Sequence, residues 1–196
     1  MTTDLEQKLE IEIKIKIKGG SIELENTRKK IIAIGFRLIH KKYFERNIVF
    51  DTPGGKLKNK KFLLRLRKKE NKNVVTFKRP THKFASLSPT DYKIREETEV
   101  EVSDFENMKR IFTGLGYDVV FIYEKYREEF RKGDVKVMVD ETPIGNFIEI
   151  EGPGEAIDRT ARELGCGKTD YLIDNYRTLF RKAGGTGDMK FKEPGL

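Results

Sequence analysis

Only one cysteine, Cys166, occurs among the 196 residues, with two histidines and no tryptophan. A single cysteine excludes an internal disulfide framework and a paired-cysteine zinc site. His40 and His82 stand apart from any cysteine or carboxylate at ligand spacing, so both read as surface residues. No apolar run approaches the roughly 20 residues that cross a bilayer. The first residues are acidic and polar rather than leader-like. The expectation is a cytoplasmic protein with no membrane partner. Fixed-period repeats and interdomain linkers are also missing, which points to one domain over residues 1–183. The Gly-rich end, 184–196, is expected to be a disordered tail.

Charge, by contrast, is plentiful. Forty Lys and Arg oppose 32 Asp and Glu, for a net charge of +8. Such a balance suits an anionic partner: a nucleotide, a polyphosphate or a nucleic acid. Gly165-Cys166-Gly167-Lys168-Thr169 resembles part of a phosphate loop. The full pattern needs glycine five residues before Gly167, where Arg162 stands, and a preceding strand rather than a helix. The segment therefore reads as a helix end and loop.

Much of the charge lies on alternating strands. From Leu9 to Lys18, Leu9, Ile11, Ile13, Ile15 and Ile17 share one strand face, and Glu10, Glu12, Lys14, Lys16 and Lys18 share the other. Two carboxylates two residues apart on a strand can hold a divalent cation, and the following lysine can meet an anion. Glu149-Ile150-Glu151 repeats the acidic pair. Further strands are expected at 41–51, 62–67, 74–78, 92–102, 123–131, 135–140 and 147–151. Helices are expected at 27–34, 104–115, 155–164 and 170–182, with a loop at 80–90. Two architectures fit: a barrel or sandwich with aliphatic residues inward and charge in water, or a closed barrel with a polar lumen and an apolar exterior under helices. Repetition of Glu-x-Glu and Arg-x-Arg on many strands favours the second.

In order along the chain come Glu10-x-Glu12-x-Lys14, Phe50-Asp51-Thr52-Pro53, Leu64-Arg65-Leu66-Arg67 and Thr76-Phe77-Lys78-Arg79-Pro80. Arg95-Glu96-Glu97 with Glu99, Lys125-Tyr126-Arg127, and Asp140 through Gly145-x-Phe147-x-Glu149-x-Glu151 complete the set. This set resembles the CYTH superfamily, named for class IV adenylyl cyclases and thiamine triphosphatases. The resemblance spans about residues 8–180 and is closer to the cyclase branch, since the tryptophan strand common in the inorganic triphosphatase branch is missing. It implies an α+β fold, a closed eight-stranded antiparallel barrel with flanking helices whose bore takes a triphosphate, and it suggests a homodimer.

Burying a triphosphate requires cations. Lys14, Arg65, Arg67, Lys78, Arg95, Lys125 and Arg127 are the candidates, arginines offering bidentate forks and lysines point charges. Glu10, Glu12, Glu149 and Glu151, with Asp140 as a fifth, are the expected ligands of Mg2+ or Mn2+. Glu97 and Glu99 form a salt-bridged face, orient arginines or activate a nucleophile; Tyr171, on a segment resembling the family's C-terminal one, is a supporting candidate near a tunnel mouth. The first functional reading is a metal-dependent, class IV adenylyl cyclase-like conversion of ATP to cyclic AMP and pyrophosphate. The second is hydrolysis of inorganic or nucleoside triphosphate, and the third is non-enzymatic polyphosphate or RNA binding. Aromatic-poor basic faces and paired carboxylates weigh against nucleic acid.

Overall fold

The computed structural model describes residues 8–81 and 91–192. His82 and most of the loop expected at 80–90 lie outside the described residues, as do residues 193–196. Eight strands close into one antiparallel barrel. They are β1 (Lys8–Lys16), β2 (Arg37–Asp51), β3 (Leu63–Lys69), β4 (Lys72–Pro80), β5 (Lys93–Val102), β6 (Asp118–Lys132), β7 (Val135–Thr142) and β8 (Gly145–Glu151). Around the barrel the order is β1, β5, β4, β3, β2, β6, β7, β8, and β8 pairs again with β1. A two-residue strand, β9 (Tyr171–Leu172), adds to the part of β1 that β5 leaves unpaired.

Alternation explains why these segments are strands and why the barrel is covered outside. Ile13, Ile15 and Ile17 point outward and are buried beneath Leu24 and Ile31 of α1 (Ser21–Ala33) and Ile157 and Ala161 of α4 (Gly154–Glu163). Ile48, Phe50, Leu64 and Leu66 pack under Phe105 and Phe112 of α3 (Phe105–Gly114). Asp104 caps α3, its carboxylate accepting from the Asn107 N–H at 2.9 Å. The intervening side chains, Glu10, Glu12 and Lys14 among them, are buried too, because they face the bore. Among the described residues no helix is long and apolar enough to cross a membrane.

Three local expectations change. The first helix starts at Ser21 rather than near Thr27, whose hydroxyl instead donates back to the Glu23 carbonyl at 2.8 Å within the helix. Between β2 and β3 a short helical turn, α2 (Lys56–Asn59), forms because the Asp51 carboxylate accepts from the Leu57 and Lys58 N–H groups at 2.8 and 3.0 Å. The last helix, α5 (Tyr176–Lys182), starts six residues later than expected. Residues 168–170 form a 3-10 turn, Tyr171 and Leu172 join the sheet, and the Asn175 side chain caps α5 by accepting from the Thr178 N–H. Finally, the tail is docked as far as Lys192: Met189 is fully buried and pairs with Tyr123 on β6. Met189 and Phe191 supply the apolar anchors that its glycines conceal.

Candidate active site

The bore is a cavity of about 400 Å³ lined by side chains from every barrel strand. Strand register sets its chemistry. Glu12 is the direct cross-strand partner of Glu151, and Lys14 of Glu149. On the other side of β1, Glu10 is opposite Arg95 and Glu12 opposite Lys93. Lys78 is opposite Glu97 on the β4–β5 ladder. Alternation then turns all of these into one lumen.

Every carboxylate of the set holds a cation. Glu10 accepts from the Lys78 ammonium at 2.6 and 2.5 Å, and Lys78 also reaches Glu97 at 3.0 Å. Glu12 accepts from Lys14 at 3.3 Å and from Lys93. Glu149 accepts from Arg127 at 2.7 Å and stands 3.3 Å from Lys14. Glu151 is 3.9 Å from Lys136. Glu99 accepts from the Thr76 hydroxyl at 2.7 Å and is 3.6 Å from Arg65. Arg67 donates to Asn47 at 3.2 Å, and Arg95 donates to the Lys61 carbonyl at 2.7 Å on an exposed edge of the cavity.

The electrostatics follow from this mixture. Burial acts to raise the Glu12 pKa, but the ammoniums of Lys14 and Lys93 outweigh it and hold the carboxyl well below the usual range. Glu149 is likewise held low, burial being overcome by Arg127, Lys14 and Lys125. Glu97 goes the other way. Burial, helped by Glu10 and Glu99, raises its pKa despite Lys78.

Two expected residues have other positions. Asp140 is fully buried and does not line the cavity. Its oxygens accept from Lys125 at 2.9 Å, from Arg127 at 2.6 Å and from the Tyr176 hydroxyl at 2.5 Å. Its carboxylate is taken up by these three side chains. Tyr171 packs on the barrel exterior and donates to Asp158 at 3.0 Å. The tyrosines that reach the bore are Tyr123 and Tyr176. Strand alternation also passed over Glu45 and Lys93. Glu45 is fully buried, 3.6 Å from Arg67 and 3.7 Å from Lys125.

Among the described residues, no three Asp, Glu, His or Cys groups are gathered as a metal site. The donor set nevertheless fits a hard divalent cation. Glu10, Glu12, Glu149 and Glu151 offer only oxygen, from adjacent strands, into one lumen.

A closed antiparallel barrel around such a bore is the architecture of the triphosphate tunnels. The CYTH domain profile matches residues 8–168, and the chain belongs to that family. A protein of Methanocaldococcus jannaschii, provisionally named an adenylate cyclase, is 34% identical over 144 residues, 73% of this chain and 76% of its own. A Vibrio parahaemolyticus structure with the same provisional name superposes with a TM-score of 0.75 at 16% identity, covering 89% of this chain and 98% of that one. A Hippeastrum protein, provisionally an adenylyl cyclase and described as having a dominant triphosphatase activity, gives a TM-score of 0.58 at 17% identity, covering 90% and 97%. These two structures speak to the fold alone.

Proposed function

We propose that this chain is a metal-dependent enzyme that acts on the phosphorus of a small molecule bearing a triphosphate. The observation that carries this reading is the composition of the bore. Thirteen Lys and Arg face eight Asp and Glu around one cavity, a surplus suited to the roughly four negative charges of a triphosphate. Arg65 adds a second sign. It is buried, and its Nε–H has no partner among the described residues, which is costly unless an anionic oxygen comes to meet it.

Glu10, Glu12, Glu149 and Glu151 would hold Mg2+ or Mn2+, which supplies Lewis-acid stabilisation of charge on phosphate oxygens. The chain's own work is grip and orientation. Arg65, Lys78 and Arg127 bind oxygens along the phosphate chain, and the closed wall excludes bulk water.

The geometry favours hydrolysis as the reaction, because the groups it concentrates recognise phosphate. Water attacks the terminal phosphorus, the bridging P–O bond breaks with its oxygen and electron pair retained by the departing diphosphate portion, and the attacked phosphorus, having lost the water proton to solvent, becomes orthophosphate. Conversion of ATP to cyclic AMP and pyrophosphate, the reading suggested by the name of the M. jannaschii relative, is the second possibility. There the ribose 3′-oxygen attacks the α-phosphorus instead. Incubation with ATP or inorganic triphosphate plus Mg2+ or Mn2+, followed by product analysis, separates them. Orthophosphate without a cyclic product supports hydrolysis. Cyclic AMP with pyrophosphate replaces it with cyclisation, and no turnover of either compound refutes the proposal.

A further inference from the structure

The family profile ends at residue 168, yet the chain beyond it enters the tunnel wall. Asn175, Tyr176, Arg177 and Thr178 line the cavity. Tyr176 and Met189 join Phe121, Tyr123 and Phe147 in one buried cluster. Phe121 and Tyr123 share the inward face of β6 with Lys125 and Arg127, and Phe147 shares that of β8 with Glu149. The charged lumen therefore continues into an aromatic end that the C-terminal segment completes.

Two hydroxyls connect this apolar cluster to the cations. Tyr176 donates to Asp140 at 2.5 Å, and Asp140 holds both Lys125 and Arg127. Tyr123 accepts from the Arg65 guanidinium at 3.1 Å. The two rings lie 5.8 Å apart between centroids. Burial and the adjacent Asp140 push the Tyr176 pKa well above its ordinary value, so its hydroxyl stays a donor.

The tail fastens this arrangement. Met189 N–H donates to the Ile122 carbonyl and the Glu124 N–H donates to the Met189 carbonyl, both at 2.9 Å. The Asp188 carboxylate accepts from the Ile122 N–H at 2.8 Å. These bonds run along the stretch of β6 that precedes its pairing with β7, which starts at Tyr126. The tail thus fills an unpaired strand edge and fixes the backbone of Tyr123 itself.

We infer that Tyr176 and Tyr123 are positioning residues for the phosphate-gripping cations, locked in place by Met189 of the C-terminal segment. The inference rests on the triphosphate reading above. Without the Tyr176 hydroxyl, Asp140 loses its one uncharged donor and draws harder on Lys125 and Arg127, leaving them less available to phosphate. Without the Tyr123 hydroxyl, Arg65 loses an acceptor that fixes its plane.

The test is calorimetric titration of the full chain with inorganic triphosphate and Mg2+, paired with thermal unfolding of the unliganded protein. Tyr176→Phe and Tyr123→Phe are each expected to weaken binding about tenfold, the effect of losing one charge-assisted contact, and Met189→Ala, which removes the buried apolar anchor of the segment, is expected to weaken it as well. Asp104→Ala, remote on α3, is the control for general destabilisation: it should lower the melting temperature without moving affinity. Wild-type protein that fails to bind triphosphate would overturn the functional reading and the inference with it. Wild-type binding that both Phe variants retain within about twofold would overturn the inference alone. A Met189→Ala variant that melts earlier but binds as tightly would remove Met189 from it.

Discussion

Glu12 and Glu151 are direct partners across the β1–β8 ladder, and both project into the bore. Like charges placed opposite each other destabilise a sheet. Here Lys14, Lys93 and Lys136 offset them. The tunnel is therefore a lattice of alternating charges, built at a desolvation cost. A triphosphate with a divalent cation can exchange partners in that lattice without leaving a charge bare.

One consequence is a large thermal shift on ligand binding. At a concentration of 100 times Kd, ligand binding contributes about 2.7 kcal/mol. For a chain of this size each kcal/mol moves the melting temperature by about 2–4 °C. Inorganic triphosphate with Mg2+ should raise it by about 5–10 °C in a thermal scan, and the rise should shrink in high salt. An unchanged melting temperature at millimolar triphosphate would contradict a bore built for it.

A second consequence concerns acid. Burial acts to raise the Glu45 pKa, but Lys125, Arg127 and Arg65 outweigh it and hold the carboxyl below its ordinary value. A depressed carboxylate stabilises the fold above the unfolded-chain pKa of about 4.3 and loses that contribution as pH falls toward the folded value. Glu45→Gln should be less stable than wild type at pH 7, by about 3 kcal/mol for a broken buried network. The gap should narrow between about pH 5 and pH 3. Urea midpoints measured across that range check it; a gap that is constant with pH would mean Glu45 carries no depressed charge.

A third prediction separates stability from the site. Asp104→Ala removes the cap of α3 and should cost about 1 kcal/mol, or about 2–4 °C, with turnover unchanged. Loss of turnover in this variant at a temperature where it stays folded would tie α3 to the chemistry and contradict the placement of the site.

The barrel was legible because its strands bury two different faces. Ile13 and Glu12 both lie inside the protein, one under helices and one in the lumen, so strict alternation survives in the sequence. The same rule, carried two positions back from Arg95, reaches Lys93, and on β2 it reaches Glu45 and Asn47; the signal was present but lay outside the acidic and basic doublets. Asp140 stands in the acidic set of the motif, yet alternation says nothing of how many donors converge on one carboxylate. Tyr176 was not legible at all. It arrives on a helix packed from outside the strand pattern, and its role depends on the Asn175 cap that starts α5. The tail's docking depends on a free edge of β6, a property of the closed barrel rather than of residues 184–192.

The most direct test of the account is phosphate release from inorganic triphosphate by wild type, Glu12→Gln and Glu149→Gln, followed over a titration of Mg2+. The account predicts metal-dependent turnover by wild type and a loss of at least about a hundredfold in each variant, with folded barrels confirmed by circular dichroism. Metal-independent turnover, or turnover that survives both substitutions, would show that the paired glutamates of β1 and β8 are not the metal site.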